Sequence, residues 1–128
     1  MKLVNLATAG LVTSILSILA GAIVRATGSG DGCGASWPTC NGKVLPSLNT
    51  TSEIIEFSHR SISGILLIIT LLLFIKSKDQ GTPSLHKKII NYLTFFVLLE
   101  ALIGAVIVIY EWVGLNSSLP RIIAVPLH

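Results

Sequence analysis

Long apolar runs alternate with short polar breaks along the chain, and the lengths of the runs carry the first structural information. Residues 3–24 contain no charge and lie between Lys2 and Arg25. A helix rises about 1.5 Å per residue, so such a run matches a hydrocarbon core of about 30 Å and predicts a membrane-spanning helix. A cleavable secretory signal would have an apolar region of only about 7–15 residues, followed by a small-residue cleavage pattern that is poor here. Residues 25–53 are polar and glycine-rich and include Pro38 and Pro46, which predicts a loop. Its TGSGDGCG stretch favours tight turns and positive φ over regular structure. A second apolar segment, residues 54–75, has its polar side chains crowded into its first turns. After a charged linker at 76–88 comes a third segment at 89–110, then the brief loop EWVGLNSSLP and the apolar opening of a fourth segment, RIIAVPLH, at 121–128. No internal repeat or low-complexity tract interrupts this order. The expected fold is all-α, an antiparallel transmembrane helix bundle with three full spans and the start of a fourth, in one unit over residues 1–128.

Composition agrees with this pattern. The chain is 52% hydrophobic and 12% charged, against about 25% charged in an ordinary soluble domain. A net charge of +3, spread over loop lysines, gives no basic face for following a phosphate backbone, so nucleic acid is not an expected partner and membrane lipid is. Lys76, Lys78, Lys87 and Lys88 fall in the second linker, whereas the longer first loop holds only Arg25 and Lys43. The positive-inside tendency therefore places that linker and the N-terminus in the cytoplasm. It places the first loop outside, as expected of a multi-pass protein of a bacterial plasma membrane. Trp37, Tyr110 and Trp112 suit the outer interface. Cys33 and Cys40 lie in this outer loop, where thiols meet an oxidising compartment. A disulfide there would close an eight-residue ring worth roughly 2.5 kcal/mol by loop entropy. A redox-active pair is the other reading, although catalytic pairs usually have the tighter C-x-x-C spacing.

The stretch IEFSHR at the mouth of the second segment carries the densest chemistry. On a helix Glu56, His59, Arg60 and Ser63 share one stripe, continued by Gly64. Charged groups cost about 2.5 to 3.5 kcal/mol at the centre of a span, so the stripe should face the bundle or the interface. Carboxylate-bridged iron pairs need a second Glu-x-x-His and further glutamates, and zinc is short of ligands. Haem iron needs only one or two axial groups, and imidazole serves well. His59 and His128, on helices read here as antiparallel, should reach similar depth, while His86 lies on the opposite side. Arg25 and Arg60 would be available for propionates. Each histidine taken alone also reads as an ordinary hydrogen-bonded polar residue. Glu100 sits within the third segment, either protonated and hydrogen-bonded across the bundle or part of a proton route. Small residues beside it, Ala101, Gly104 and Ala105, would let a neighbouring helix approach closely, as would Ser17 and Gly21 in the first segment.

The stretches GAIVRATGSGDGCGASWPTCNGKVLP and IEFSHRSISG, in that order, resemble the amino-terminal half of the haem A synthase family. The specific parts are the Val-Arg-x-Thr-Gly-Ser-Gly turn, the C-x6-C loop with an internal Trp-Pro, and Glu-x-x-His-Arg. The resemblance implies an oxidoreductase of eight helices in two similar halves, which converts the C8 methyl group of haem O to the formyl group of haem A by successive hydroxylations. It implies His59 and His128 as paired axial ligands, Glu56 as a required catalytic carboxylate, and Cys33 with Cys40 as an outer-loop disulfide. It further implies haem O as substrate in this half, haem b in the other half, and haem O synthase and an electron acceptor as partners. Position 100 departs from the family pattern, with Glu where Gln is usual. The sequence stops at His128, so the second half is absent from it. The expectation is a fragment, or a half-size protein pairing with a second copy, inactive without that complement. Two other functions compete: a bis-histidine cytochrome b-like electron carrier, and a quinone-linked dithiol oxidase.

Overall fold

The structure, a computed structural model, describes residues 2–47, 49–79, 81–114 and 117–128. The first helix, Leu3–Thr27 (α1), is followed by a single 3-10 turn at Ser29–Asp31 and then by Thr51–Ser77 (α2), Ser84–Ile109 (α3) and Leu119–Leu127 (α4). Among the described residues there is no strand, only an isolated bridge between Cys40 and Lys43 within the first loop. Helices α1, α2 and α3 are long and apolar enough to cross a membrane. Their outward faces carry exposed Ile18, Ile68, Phe95 and Leu102, a surface that suits lipid far better than water.

All three long helices extend beyond the apolar runs that predicted them. α1 passes through Arg25 to Thr27, α2 begins at Thr51 and so includes Glu53, and α3 begins at Ser84 rather than 89. Hydropathy marks where side chains prefer hydrocarbon, whereas a helix ends where turn chemistry ends it. Gly28 closes α1 in the left-handed region at φ 65°, its N–H directed to the carbonyls of Val24 and Arg25. A residue with a Cβ adopts that conformation at a cost glycine avoids. Pro83 stands immediately before α3, where its missing N–H is no loss.

α1 and α2 pack antiparallel along a seam of small residues. Leu6 and Leu73 meet with Ile90 of α3 in the buried core at one end. A Cβ on Gly10 would touch Ile69 at 3.6 Å, and the hydroxyls of Ser17 and Ser63 lie 2.7 Å apart. At the other end Gly21 faces the ring of His59. The small residues recur along one face of α1 and let the backbones approach closely, the packing expected where lipid removes the usual hydrophobic drive. Thr70 and Thr94 are buried at the α2–α3 contact, each hydroxyl donating to the carbonyl four residues back.

The first and third loops meet at the end of the bundle that holds His59. A Cβ on Gly30 would lie 3.4 Å from Val113, and one on Gly114 would lie 2.9 Å from the Asp31 carboxylate. α2 and α4 therefore both start from this end and run in the same direction. Their reading as antiparallel partners is corrected: in a chain of successive antiparallel hairpins, the second and fourth helices are parallel. Similar depth then follows from similar distance into the helix. His59 comes eight residues after Thr51, and His128 nine after Leu119.

Candidate functional site

At this end of α2, three ionisable side chains one or two turns apart anchor the loop above them. The sulfurs of Cys33 and Cys40 are joined in a disulfide, and both residues are fully buried. Glu56 Oε2 accepts a hydrogen bond from the Cys33 N–H at 2.8 Å, while Oε1 pairs with the Arg60 guanidinium. Arg60 Nη1 donates to the carbonyl oxygens of Ser36 at 2.5 Å and Thr39 at 2.6 Å. One turn earlier, Glu53 accepts from the Ser47 N–H at 2.7 Å and from Asn41 Nδ2 at 3.1 Å. The ring closed by the cysteines is thus held at several backbone groups by one helical stripe. Gly32 lets the loop lie close on the start of α2, since a Cβ there would fall 2.4 Å from Ser52 Oγ and 2.6 Å from its backbone. Glu56 is 3% exposed and the Arg60 side chain 10%. A buried carboxylate in that position is tolerated because each oxygen has a strong donor.

His59 projects from the same stretch toward α1. A Cβ on Gly21 would sit 3.0 Å from its Cε1, so the imidazole occupies space that only glycine leaves open. The ring faces the Ser17 backbone, and its buried Nδ1 makes no hydrogen bond of normal geometry with any described residue. His128 repeats the arrangement between α4 and α3, with Gly104 as the seat: a Cβ there would lie 2.8 Å from Cε1 and 3.2 Å from Nε2. Its Nδ1 lies 3.0 Å from Glu100 Oε2. The two imidazoles come together with ring centres 6.2 Å apart and planes inclined by 73°. An imidazole nitrogen binds a transition metal at about 2 Å with its ring centre about 1 Å further out, so two axial imidazoles on one ion have centres about 6 Å apart. The observed spacing meets that requirement. Among the described residues no group of three or more His, Cys, Asp or Glu side chains is gathered as for a protein-only metal cage. A donor set of two imidazoles fits a metal whose remaining ligands arrive with it, as in a porphyrin.

Of the other residues read from the sequence, Arg25 lies one turn beyond Gly21, exposed in the last turn of α1. Arg60 is committed to the loop, with only its buried Nε left without a partner. His86 lies in the first turn of α3, at the opposite end of the bundle. One residue was missed. Arg121 is seven positions before His128 on α4, hence on the same helical face, and its buried Nε has no partner. Its signal was that spacing, in a segment too short to show periodicity. Glu100, read as hydrogen-bonded across the bundle or part of a proton route, meets His128 across 28 positions and two helices, a partner beyond any local pattern.

The comparisons bear on the same residues. The cytochrome oxidase assembly protein family COX15-CtaA matches residues 4–53, which cover α1 from Val4, the first loop and the start of α2. A protoheme IX farnesyltransferase of Thermus thermophilus is 38% identical over 130 residues, covering 99% of this chain and 21% of that protein. A heme A synthase of Staphylococcus epidermidis is 42% identical over 111 residues, 84% of this chain and 37% of the relative. Another, of Macrococcus caseolyticus, is 38% identical over 123 residues, 90% of this chain and 40% of the relative. The chain therefore spans between about a fifth and two fifths of the length of these curated relatives. No solved structure matches it. Apolar helices, loop and relatives converge: the chain matches the COX15-CtaA family over residues 4–53 and is similar to heme A synthases over most of its own length.

Proposed function

We propose that this chain is the substrate-binding half of a haem A synthase-type membrane oxidoreductase, acting in haem A biosynthesis on haem O. The observation that carries the reading is the pair of imidazoles, His59 and His128, 6.2 Å apart at matched depth, each seated on a glycine of the neighbouring helix. The names of the relatives support it, since heme A synthase and protoheme IX farnesyltransferase both concern haem. The second name does not favour prenyl transfer here. Magnesium-assisted binding of a diphosphate calls for gathered carboxylates, and among the described residues none are gathered in threes.

In this reading His59 and His128 hold the iron of the haem from its two faces. The ring methyl of the bound haem would be oxidised to the formyl group by successive hydroxylations, each taking its oxygen from water and releasing two electrons to an acceptor and two protons, the second giving a gem-diol that loses water. Arg25 and Arg121 stand toward the loop end, where guanidinium groups would pair with propionates. Arg60, first read for that task, is better used in holding the loop. Glu56 lies one turn from His59 and fixes the loop over the site through Cys33 and Arg60. Its catalytic contribution is then electrostatic, a fixed negative charge near the reacting edge. The disulfide is a staple in this scheme, and the buried sulfurs argue against exchange with a client. The N-terminus lies in the cytoplasm and the disulfide loop outside a bacterial plasma membrane. A carboxy-terminal half or a second copy completes the bundle, and haem O synthase supplies the substrate.

The chain in nanodiscs, titrated with haem O, is expected to give a low-spin bis-imidazole spectrum that His59→Ala and His128→Ala each abolish. An unchanged spectrum in both variants would refute the site. Pigments extracted after turnover together with the complementary half should contain the alcohol or formyl product. Bound haem recovered only unmodified would leave the cytochrome-like electron carrier as the function.

A further inference from the structure

We propose that Glu100 is the positioning residue of His128, accepting a hydrogen bond from Nδ1–H so that Nε2 keeps its lone pair for a metal. The inference rests on the reading of His128 as an axial ligand and adds a residue that the reading does not contain. Three observations carry it. Glu100 Oε2 lies 3.0 Å from His128 Nδ1, within hydrogen-bond distance. Gly104, one turn after Glu100 on the same face of α3, provides the space beneath the ring, with a built Cβ only 2.8 Å from Cε1. Glu100 and Gly104 thus act as a pair in which one residue grips the ring's far nitrogen and the other leaves room for its body. Finally, Glu100 is an acidic residue in a span predicted to be apolar, an expense that needs a partner, and His128 is the partner given.

The chemistry follows from imidazole having two unlike nitrogens. In the neutral ring one nitrogen is a donor and the other an acceptor, and whichever donates to a fixed carboxylate determines which is left to bind. A carboxylate on Nδ1–H selects the tautomer with Nε2 available, restricts ring rotation and makes Nε2 a stronger electron donor. Among the described residues His59 has no carboxylate partner: its ring faces the Ser17 backbone, and its Nδ1 makes no hydrogen bond of normal geometry. The two axial positions are therefore unequal, with the stronger donor on the α3–α4 side. A stronger axial donor favours ferric over ferrous iron and lowers the reduction potential.

Two variants and two measurements test this. Glu100→Gln retains an acceptor of the same shape without the charge, and Glu100→Leu removes the acceptor. In the haem-free chain labelled with 15N-histidine in nanodiscs, His128 should show the Nδ1–H tautomer, and Glu100→Leu should lose that preference. An Nε2–H tautomer in the parent chain overturns the proposal without any reference to haem. In the haem-loaded chain Glu100→Leu should weaken haem binding about 10–100-fold, the usual cost of removing a ligand's outer partner. Glu100→Gln should keep the bis-imidazole spectrum but raise the reduction potential. Unchanged affinity in Glu100→Leu together with an unchanged potential in Glu100→Gln overturns it. If the parent chain shows the Nδ1–H tautomer yet binds no haem, the reading of the site fails and the positioning of a metal ligand by Glu100 fails with it, while the hydrogen bond stands.

Discussion

At the scale of single residues the site is defined as much by missing atoms as by functional groups. Gly104→Ala would place a methyl group 2.8 Å from His128 Cε1, too close to coexist, so the ring must leave its rotamer or its position. Displacement from a rotamer costs about 0.5–1.5 kcal/mol, and haem affinity should fall by up to about tenfold with helix content unchanged, as a Soret titration with parallel circular dichroism would show. Gly21→Ala, at 3.0 Å from His59 Cε1, should behave alike but more mildly. A different effect is expected of Glu56→Ala. It removes one member of a buried ion pair that also accepts from Cys33, and loss of one partner of such a pair costs about 3–5 kcal/mol. Unfolding in mixed micelles should show that loss, with Glu56→Gln closer to the parent because an amide oxygen can still accept from the Cys33 N–H. The pairing of His59 with His128 was suggested in the sequence only by matched depth and by resemblance, and that of Cys33 with Cys40 by their shared loop, since each residue taken alone had an ordinary structural reading. The employment of Arg60 by the carbonyls of Ser36 and Thr39 was not, since those acceptors are backbone groups whose positions depend on the folded loop.

At the scale of elements, the seam between α1 and α2 determines where His59 stands. Ser17 and Ser63 meet one turn from Gly21 and His59 respectively. A one-turn slip of either helix would therefore move the imidazole off its glycine. Interhelical hydrogen bonds in membranes contribute on average only about 0.6 kcal/mol, so Ser63→Ala should be a mild change. Ser17→Leu, by contrast, inserts bulk where the backbones approach, and overpacking costs typically about 1–3 kcal/mol. Denaturation in SDS-containing micelles should rank Ser17→Leu well below Ser63→Ala, and equal stabilities would show that the seam is not close-packed. The existence and order of the helices could be read from apolar runs. Their ends could not, because Arg25 and Glu53 are helical although they lie outside the apolar runs. Thr27 further shows how little composition says about an end: its hydroxyl bonds back to the Ile23 carbonyl at 2.7 Å, satisfied inside the last turn.

At the scale of the whole molecule, the proposed orientation rests on two independent kinds of physics. Lys76, Lys78, Lys87 and Lys88 flank the turn between α2 and α3, and lysines of short loops are retained on the cytoplasmic side. The disulfide lies at the opposite end, in the loop between α1 and α2, and such bonds persist where thiols are oxidised rather than in the cytosol. The contact of Asp31 with Gly114 puts the third loop on the disulfide side as well, so in the proposed orientation the imidazole pair opens toward the exterior. With Cys33→Ser and Cys40→Ser removing the native thiols, a cysteine at Lys78→Cys should react with a membrane-impermeant maleimide only after the cells are opened. A cysteine at Asn49→Cys should react in intact cells. The reverse pattern would put both the lysines and the disulfide on sides that disfavour them, and would move the proposed haem site to the cytoplasmic face, where haem O would have to arrive from the inner leaflet.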